Sequence, residues 1–390
     1  MLKRADSALP TRCDQILLVS SLILVSLGLT MVFVSSTFLA QHQYQDPYFF
    51  FRRQALYALV GVGILYLGRH IPYQSYQRYV YLFMVLTLIG LILVFIPPLG
   101  AKVRGAARWV RLGPISLQPS EFAKLAMVLF LAYSMTRKQE KMKDLTIGFL
   151  PHILVAGLFV GLIGLESDFG TALTLAAIVF IMLLVGGARL TYLGITAGLG
   201  AVAVTVMVLK DPKKLARFFS FLDPWKYGQD AGYQLKQSLL AIGSGGATGL
   251  GPGQSRAKLF YLPDAHTDFI LSIFSEELGF VGVFLILALF AILIYRGILL
   301  SLRAPDTFGS YLALGLTLVI GLQAVINMAV VSGMAPTKGL SLPFLSYGGS
   351  SLLVNLMSVG ILLNISSQIK KPGAPAASPP KAAEAAGKPS

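Results

Sequence analysis

Residues 15–39 read QILLVSSLILVSLGLTMVFVSSTFL, an unbroken run without a charged side chain. About 20 predominantly apolar helical residues cross the hydrocarbon core of a bilayer, so this stretch reads as a membrane-spanning helix. Lys3, Arg4 and Arg12 precede it, as cations precede a secretory leader. The uncharged run nevertheless continues to Gln45, too long for a cleaved signal peptide. Blocks of the same character recur at 54–70, 79–98, 119–136, 147–165, 169–187, 190–209, 268–294, 309–332 and 347–368. The expected fold is all-α, a polytopic integral membrane protein of about ten transmembrane helices, with a large extracytoplasmic loop over 210–267 between spans seven and eight.

Composition supports that reading. Of 390 residues, 55% are hydrophobic and 13% charged, against about 25% charged in a soluble domain. The net charge of +15 suits either nucleic acid or an anionic membrane surface, and the spans select the membrane, with no nucleic acid expected. Cys13 is the single cysteine, which rules out an intramolecular disulfide, a CxxC redox pair and a thiolate metal cluster.

Ten spans put both termini on one side. Short connections on that side carry Arg69, Arg78, Arg137, Lys138, Lys141, Lys143, Arg189, Arg296, Arg303, Lys370 and Lys371. The positive-inside rule makes this side cytoplasmic. The domain plan is a cytoplasmic N-terminus (1–14), a membrane domain (15–369) and a Pro-, Ala- and Lys-rich tail (370–390) expected to be disordered. The opposite face has basic residues of its own, Lys102, Arg104, Arg108 and Arg111. An anionic ligand on the outer face accounts for them.

Ionisable residues within spans are costly and mark either a function or a buried pair. Lys124 and Arg137 bracket twelve uncharged residues, so the fourth span must include Gln118, Ser120, Glu121 and Lys124 at its outer end. Glu121 and Lys124, three apart, also suit simple mutual neutralisation. The turn GLESDFGT (164–171) carries Glu166 and Asp168, which would neutralise the basic cluster, hold a divalent cation or only solvate a turn. The loop ends in LPDAHTDF (262–269), putting Asp268 in the first turn of span eight, where the helix dipole favours an anion and routine capping is the plainer account. Glu276 and Glu277 follow about 12 Å deeper. His266 is a single imidazole, short of a metal site. MAPTKGLSLPFLSYGGSSL (334–352) is irregular backbone between two spans, tolerated at membrane depth where protein or a wet cavity covers it. Lys338 is its only charge.

Taken together, GAARWVRLGPISLQPSEFAK (105–124), ESDFGTA (166–172), FLDPWKYGQDAGYQLKQSLLAIGSGG (221–246), LPDAHTDFI (262–270), EELGF (276–280) and the 334–352 run resemble the SEDS family of FtsW, RodA and SpoVE proteins, from the first span to the last. PTKG at 336–339 looks like the division-type branch. Asp264 stands where the family often has Glu, a change that preserves the carboxylate.

The resemblance implies a glycosyltransferase that polymerises lipid II into glycan strands at the outer face of the bacterial cytoplasmic membrane, at the division septum. Asp268 matches the family's essential aspartate and would be the general base. Substrate-binding candidates are Arg108, Arg111, Gln118, Lys124, His266, Lys338, Ser346 and Ser350. Supporting or cation-holding candidates are Glu121, Glu166, Asp168 and Glu276. No organic cofactor is expected; a divalent Mg or Mn ion is one source of charge for the leaving diphosphate. Implied partners are lipid II and the growing strand, a class B penicillin-binding protein, other divisome proteins and membrane lipid. The alternatives are an elongation polymerase of the RodA type, a lipid II flippase with its charges near the bilayer midplane, and a scaffold with no chemistry.

Overall fold

The computed structural model describes residues 13–97, 99–103, 106–113, 115–226 and 232–369. The tail expected over 370–390 and nearly all of the N-terminal segment lie outside them, as do Arg104 and Tyr227. Twelve α-helices follow in chain order among the described residues. They are α1 (Gln15–Tyr44), α2 (Phe49–His70), α3 (Tyr76–Leu93), α4 (Pro119–Arg137), α5 (Leu150–Leu165) and α6 (Phe169–Val185). After these come α7 (Leu190–Leu209), α8 (Pro212–Leu222), α9 (Tyr233–Gly245), α10 (Ile270–Arg303), α11 (Thr307–Val331) and α12 (Gly349–Gln368). Every predicted span coincides with one of them, and α8 and α9 lie inside the predicted outer loop. Among the described residues, seven helices are long and apolar enough to cross a membrane by length and composition. Among the remaining spans α6 is shorter, with 17 residues, and the apolar runs of α2 and α4 are diluted by Arg52, Arg53 and Gln54 or by Glu121 and Lys124.

Burial sorts the helices. In α4 every residue from Ala123 to Ala132 is buried, as expected of a helix enclosed on all sides, and its neighbours are α3, α6, α11 and α12. By contrast, α7 buries only Leu193, and its exposed leucines and valines suit a lipid-facing helix. Close packing of α12 along α2 depends on small residues: a Cβ on Gly360 would stand 2.5 Å from the Leu65 carbonyl oxygen.

Three features shape the face on which the site lies. First, β1 (Gly100–Val103), β2 (Ala106–Leu112) and β3 (Ile115–Leu117) form an antiparallel meander. The all-helical expectation did not include this sheet, whose strands are too short for a period-2 pattern to stand out. Second, the segment between α11 and α12 dips into the bundle. Phe344 and Leu345 reach Gly28, in mid-α1, where a Cβ would meet the Phe344 carbonyl oxygen at 2.2 Å. Backbone groups at that depth need partners. Gln323 Nε2 donates to the Ser341 carbonyl at 2.9 Å, Asn327 Nδ2 to the Leu340 carbonyl at 2.6 Å and Gln54 Nε2 to the Ser346 carbonyl at 3.2 Å.

Third, α10 is broken at Gly279, whose φ of 64° and ψ of −162° are outside the helical region. Glycine alone adopts that geometry readily, and a side chain there would run into Gly249 and Ala247. The backbone groups freed by the break bond to the segment that follows α9. Leu250 and Gly251 N–H donate to the carbonyls of Glu276 and Glu277, while Phe280 and Val281 N–H donate to those of Gly246 and Ala247, all at 2.9–3.1 Å.

Candidate functional site

A cleft of about 1550 Å3 opens at the end of the bundle where the sheet, the loop helices and the dipping segment meet. Its polar end is lined by Arg53, Arg108, Arg217, Lys338, His266 and Asp268. Lys258, Asp264 and Glu121 also line the cleft, and one stretch of its wall is apolar, with Leu39 of α1, Leu56 and Val60 of α2 and Leu353 of α12. One cavity thus joins a cationic pocket to a greasy groove between helices.

Asp268 stands in the turn before α10, whose N-cap is Phe269. It is therefore outside the first helical turn that the sequence suggested, and α10 begins two residues later because Phe269 N–H still bonds back to the Asp264 carbonyl. Its own carbonyl accepts from Asn327 Nδ2 at 2.9 Å, which fixes the turn against α11. Gly339 measures what faces the carboxylate: a Cβ there would lie 3.1 Å from Asp268 Oδ2 and 3.4 Å from Arg108 Nη1. The carboxylate and the guanidinium flank one point of the cleft wall, left open because residue 339 has no side chain.

Arg108 rises from β2. Its Nη2 donates to the Ser167 carbonyl and its Nη1 stands 3.9 Å from Asp168 Oδ1. Asp168 caps α6, accepting from Thr171 N–H at 3.3 Å and Thr171 Oγ1 at 2.9 Å, and takes a further bond from Gln118 Nε2 at 3.1 Å. Lys338, from the dipping segment, lines the same end, and burial pulls its pKa below the usual lysine value. His266 packs between Phe50 and Tyr347, ring centroids 4.8 and 5.8 Å away.

Several expected site residues lie elsewhere. Lys124 is fully buried, held by Glu121 at 2.9–3.0 Å and by Gln323 of α11. It is the internal pair, under the cleft and not in it, although Glu121 reaches the lining. Arg111 is exposed and absent from the lining: it sits three residues from Arg108 on one strand, so the two point to opposite faces. Ser346 Oγ accepts from Leu342 N–H at 2.8 Å and Ser350 Oγ from Gln118 N–H at 2.9 Å. Both serines are buried and brace the dipping segment and the start of α4. Glu276 is buried outside the cleft, accepting from Ser255 Oγ and from the N–H groups of Arg256 and Ala257 at 3.1 Å. Beside it Glu277 accepts from Lys258 Nζ at 2.9 Å.

Glu166 is 1% exposed, and neither carboxylate oxygen has a hydrogen-bond partner. Burial, then the neighbouring Asp168 charge, push its pKa up to about 8 against the opposing pull of Arg108. Hard divalent cations take six or more oxygens. Asp168 and Glu276 have committed theirs, and among the described residues no group of three or more His, Cys, Asp and Glu converges as a metal site.

Arg53 and Arg217 were not among the expected site residues. Arg53 had a signal: Arg52 and Arg53 are adjacent cations on the face that the charge rule leaves poor in them. Arg217 had none, since its loop helix was not foreseen.

A family model described as "Cell cycle protein", covering FtsW, RodA and SpoVE, matches residues 14–371. A protein of Trichlorobacter lovleyi named "Probable peptidoglycan glycosyltransferase FtsW" is 47% identical over 361 residues, 92% of this chain and 94% of that one. The "Stage V sporulation protein E" of Bacillus subtilis is 41% identical over 356 residues, 91% and 97% of the two chains. Among solved structures, a chain from a peptidoglycan synthase complex that coordinates polymerization and crosslinking superposes with a TM-score of 0.75 at 29% identity, covering 92% of this chain and 99% of that one.

Proposed function

The chain belongs to the FtsW, RodA and SpoVE family of cell cycle proteins, and on that premise we propose that it is a peptidoglycan glycosyltransferase that polymerises lipid II. The single observation that carries this reading is the pairing of Asp268 with Arg108 across Gly339, in a cleft that also has an apolar stretch of wall. Lipid II is a disaccharide-pentapeptide on a polyprenyl diphosphate, and such a molecule needs a greasy groove, cations and a base within one cavity. The polyprenyl chain lies along Leu39, Leu56, Val60 and Leu353. Arg108, Lys338 and Arg53 grip the diphosphate, with Arg217 reaching in from the loop.

Asp268 takes the proton from the acceptor's 4-hydroxyl as that oxygen attacks the anomeric carbon of the donor. The bond from that carbon to the diphosphate breaks, and the negative charge that develops on the departing oxygen is met by the cations around it. Lys338 suits the task because it lines the same end of the cleft as Arg108 and Asp268. The charged residues of the cleft cluster at helix ends, in loops and on the sheet, and a carrier's would sit in mid-helix, so the same geometry favours a polymerase over a lipid II flippase.

The site then faces the outside of the bacterial cytoplasmic membrane, with both termini in the cytoplasm. The partner is a class B penicillin-binding protein that cross-links the new strand, and the setting is the division septum. The test uses purified protein with that partner and labelled lipid II, comparing wild type with Asp268→Asn. Wild type extends glycan strands, and the variant binds lipid II without extending them. Equal polymer from both removes Asp268 as the base. Lipid II crossing vesicles without polymer would establish the carrier instead.

A further inference from the structure

Glu166 is a buried carboxylate beside Arg108 that the reaction above does not use. Its setting is unlike that of its neighbour two residues on. Asp168 takes the donors that the turn offers, from Gln118 Nε2, Thr171 Oγ1 and Thr171 N–H, and stands within ion-pair distance of Arg108. Glu166, 1% exposed, has none for either oxygen. An ionised carboxylate in that setting is costly, since neither water nor a donor solvates it. The charged groups that face it are Asp168 from its own turn and Arg108 from β2. Two carboxylates thus share one guanidinium, and one holds the hydrogen bonds. Between them Ser167 adopts a left-handed backbone, φ 61°, and offers its carbonyl to Arg108 Nη2.

Arg108 is poised between two attractors. On one side are the Ser167 carbonyl and Asp168; on the other is the cleft, where Nη1 flanks the same point as Asp268 Oδ2. Its Nε is buried without a partner, so the guanidinium is not locked by a full set of bonds.

We propose that Glu166 is a positioning residue for Arg108: protonated, it leaves the guanidinium extended toward the cleft, and ionised, it draws the guanidinium back into the 166–168 turn. The inference rests on the reading of Arg108 as a diphosphate-binding cation. Its sign follows from the chemistry. Below about pH 8 Glu166 carries its proton, the turn holds a single negative charge and Arg108 is available to an anion. Above that pH the turn holds two negative charges and competes with the diphosphate for the same cation.

Two measurements on the full-length protein in lipid test this. Difference infrared spectroscopy from pH 7 to pH 9 reads the C=O stretch of a protonated carboxyl directly. The wild type loses a band with a midpoint near 8, and Glu166→Gln lacks that change. A wild type with no such band, or a variant with the same one, overturns the proposal. Binding of farnesyl diphosphate over the same range reads Arg108. Wild-type affinity falls several-fold from pH 7 to pH 9 and that of Glu166→Gln falls less. An equal fall in both overturns the positioning role. Failure of either protein to bind the probe at any pH removes the diphosphate reading of Arg108, and with it this role, even if the infrared band confirms the proton.

Discussion

Two carboxylates eight residues apart on one stretch of chain, Asp268 and Glu276, have opposite situations. Asp268 stands just before α10 on the wall of a large cleft, across from a guanidinium. Glu276 lies inside the protein, engaged by a hydroxyl and two backbone N–H groups, and its neighbour Glu277 holds Lys258. Both would be singled out as acids near a membrane. The difference shows that an ionisable residue in such a protein marks chemistry when it faces a cavity, and marks architecture when the fold supplies its partners. Lys124 falls on the architectural side with Glu276, and Arg108 on the chemical side with Asp268.

The largest expected effect tests the chemical side. Asp268→Asn lowers polymerisation by about 100- to 10,000-fold, the usual contribution of a general base, with lipid II binding and melting temperature unchanged; gel analysis of strand length and a thermal melt check this together. A large loss of stability would move Asp268 into the architectural class. Next, Lys124→Met leaves Glu121 as an uncompensated buried charge and costs about 3–5 kcal/mol of stability, read as a lowered melting temperature in detergent. Glu276→Gln removes only the charge from a hydrogen-bonded set and costs about 1.5–3 kcal/mol, read in the same melt. A variant that melted like wild type yet made no polymer would break the comparison. The smallest effect is that of Arg111→Ala, which leaves turnover and melting alone, whereas Arg108→Ala raises the KM for lipid II. Equal effects would mean that strand alternation does not separate the two arginines.

The helical frame was legible because hydropathy reads burial in lipid directly, and α1, α10 and α11 declare themselves in long apolar runs. What lay between the spans was not legible. Residues 100–117 pair as strands through contacts between neighbouring turns of chain, not through a strong local pattern, so Arg108 and Arg111 looked like one cluster. Asp268, His266 and Lys338, singled out through the family resemblance of LPDAHTDFI and the 334–352 run, line the cleft. Ser346 and Ser350 were misassigned because nothing local says how far the 334–348 segment dips, a depth set by Gly28 and by amides of α2 and α11 that are distant in sequence. Arg53 and Arg217 reach the cleft only through tertiary packing.

The break at Gly279 makes the loop before α10 part of the helix next to it. Gly246, Ala247, Leu250 and Gly251 fill the gap in the hydrogen-bond ladder of α10, so any rearrangement of that loop must first give up backbone bonds of the helix that follows Asp268, a cost that a slack connection would not carry.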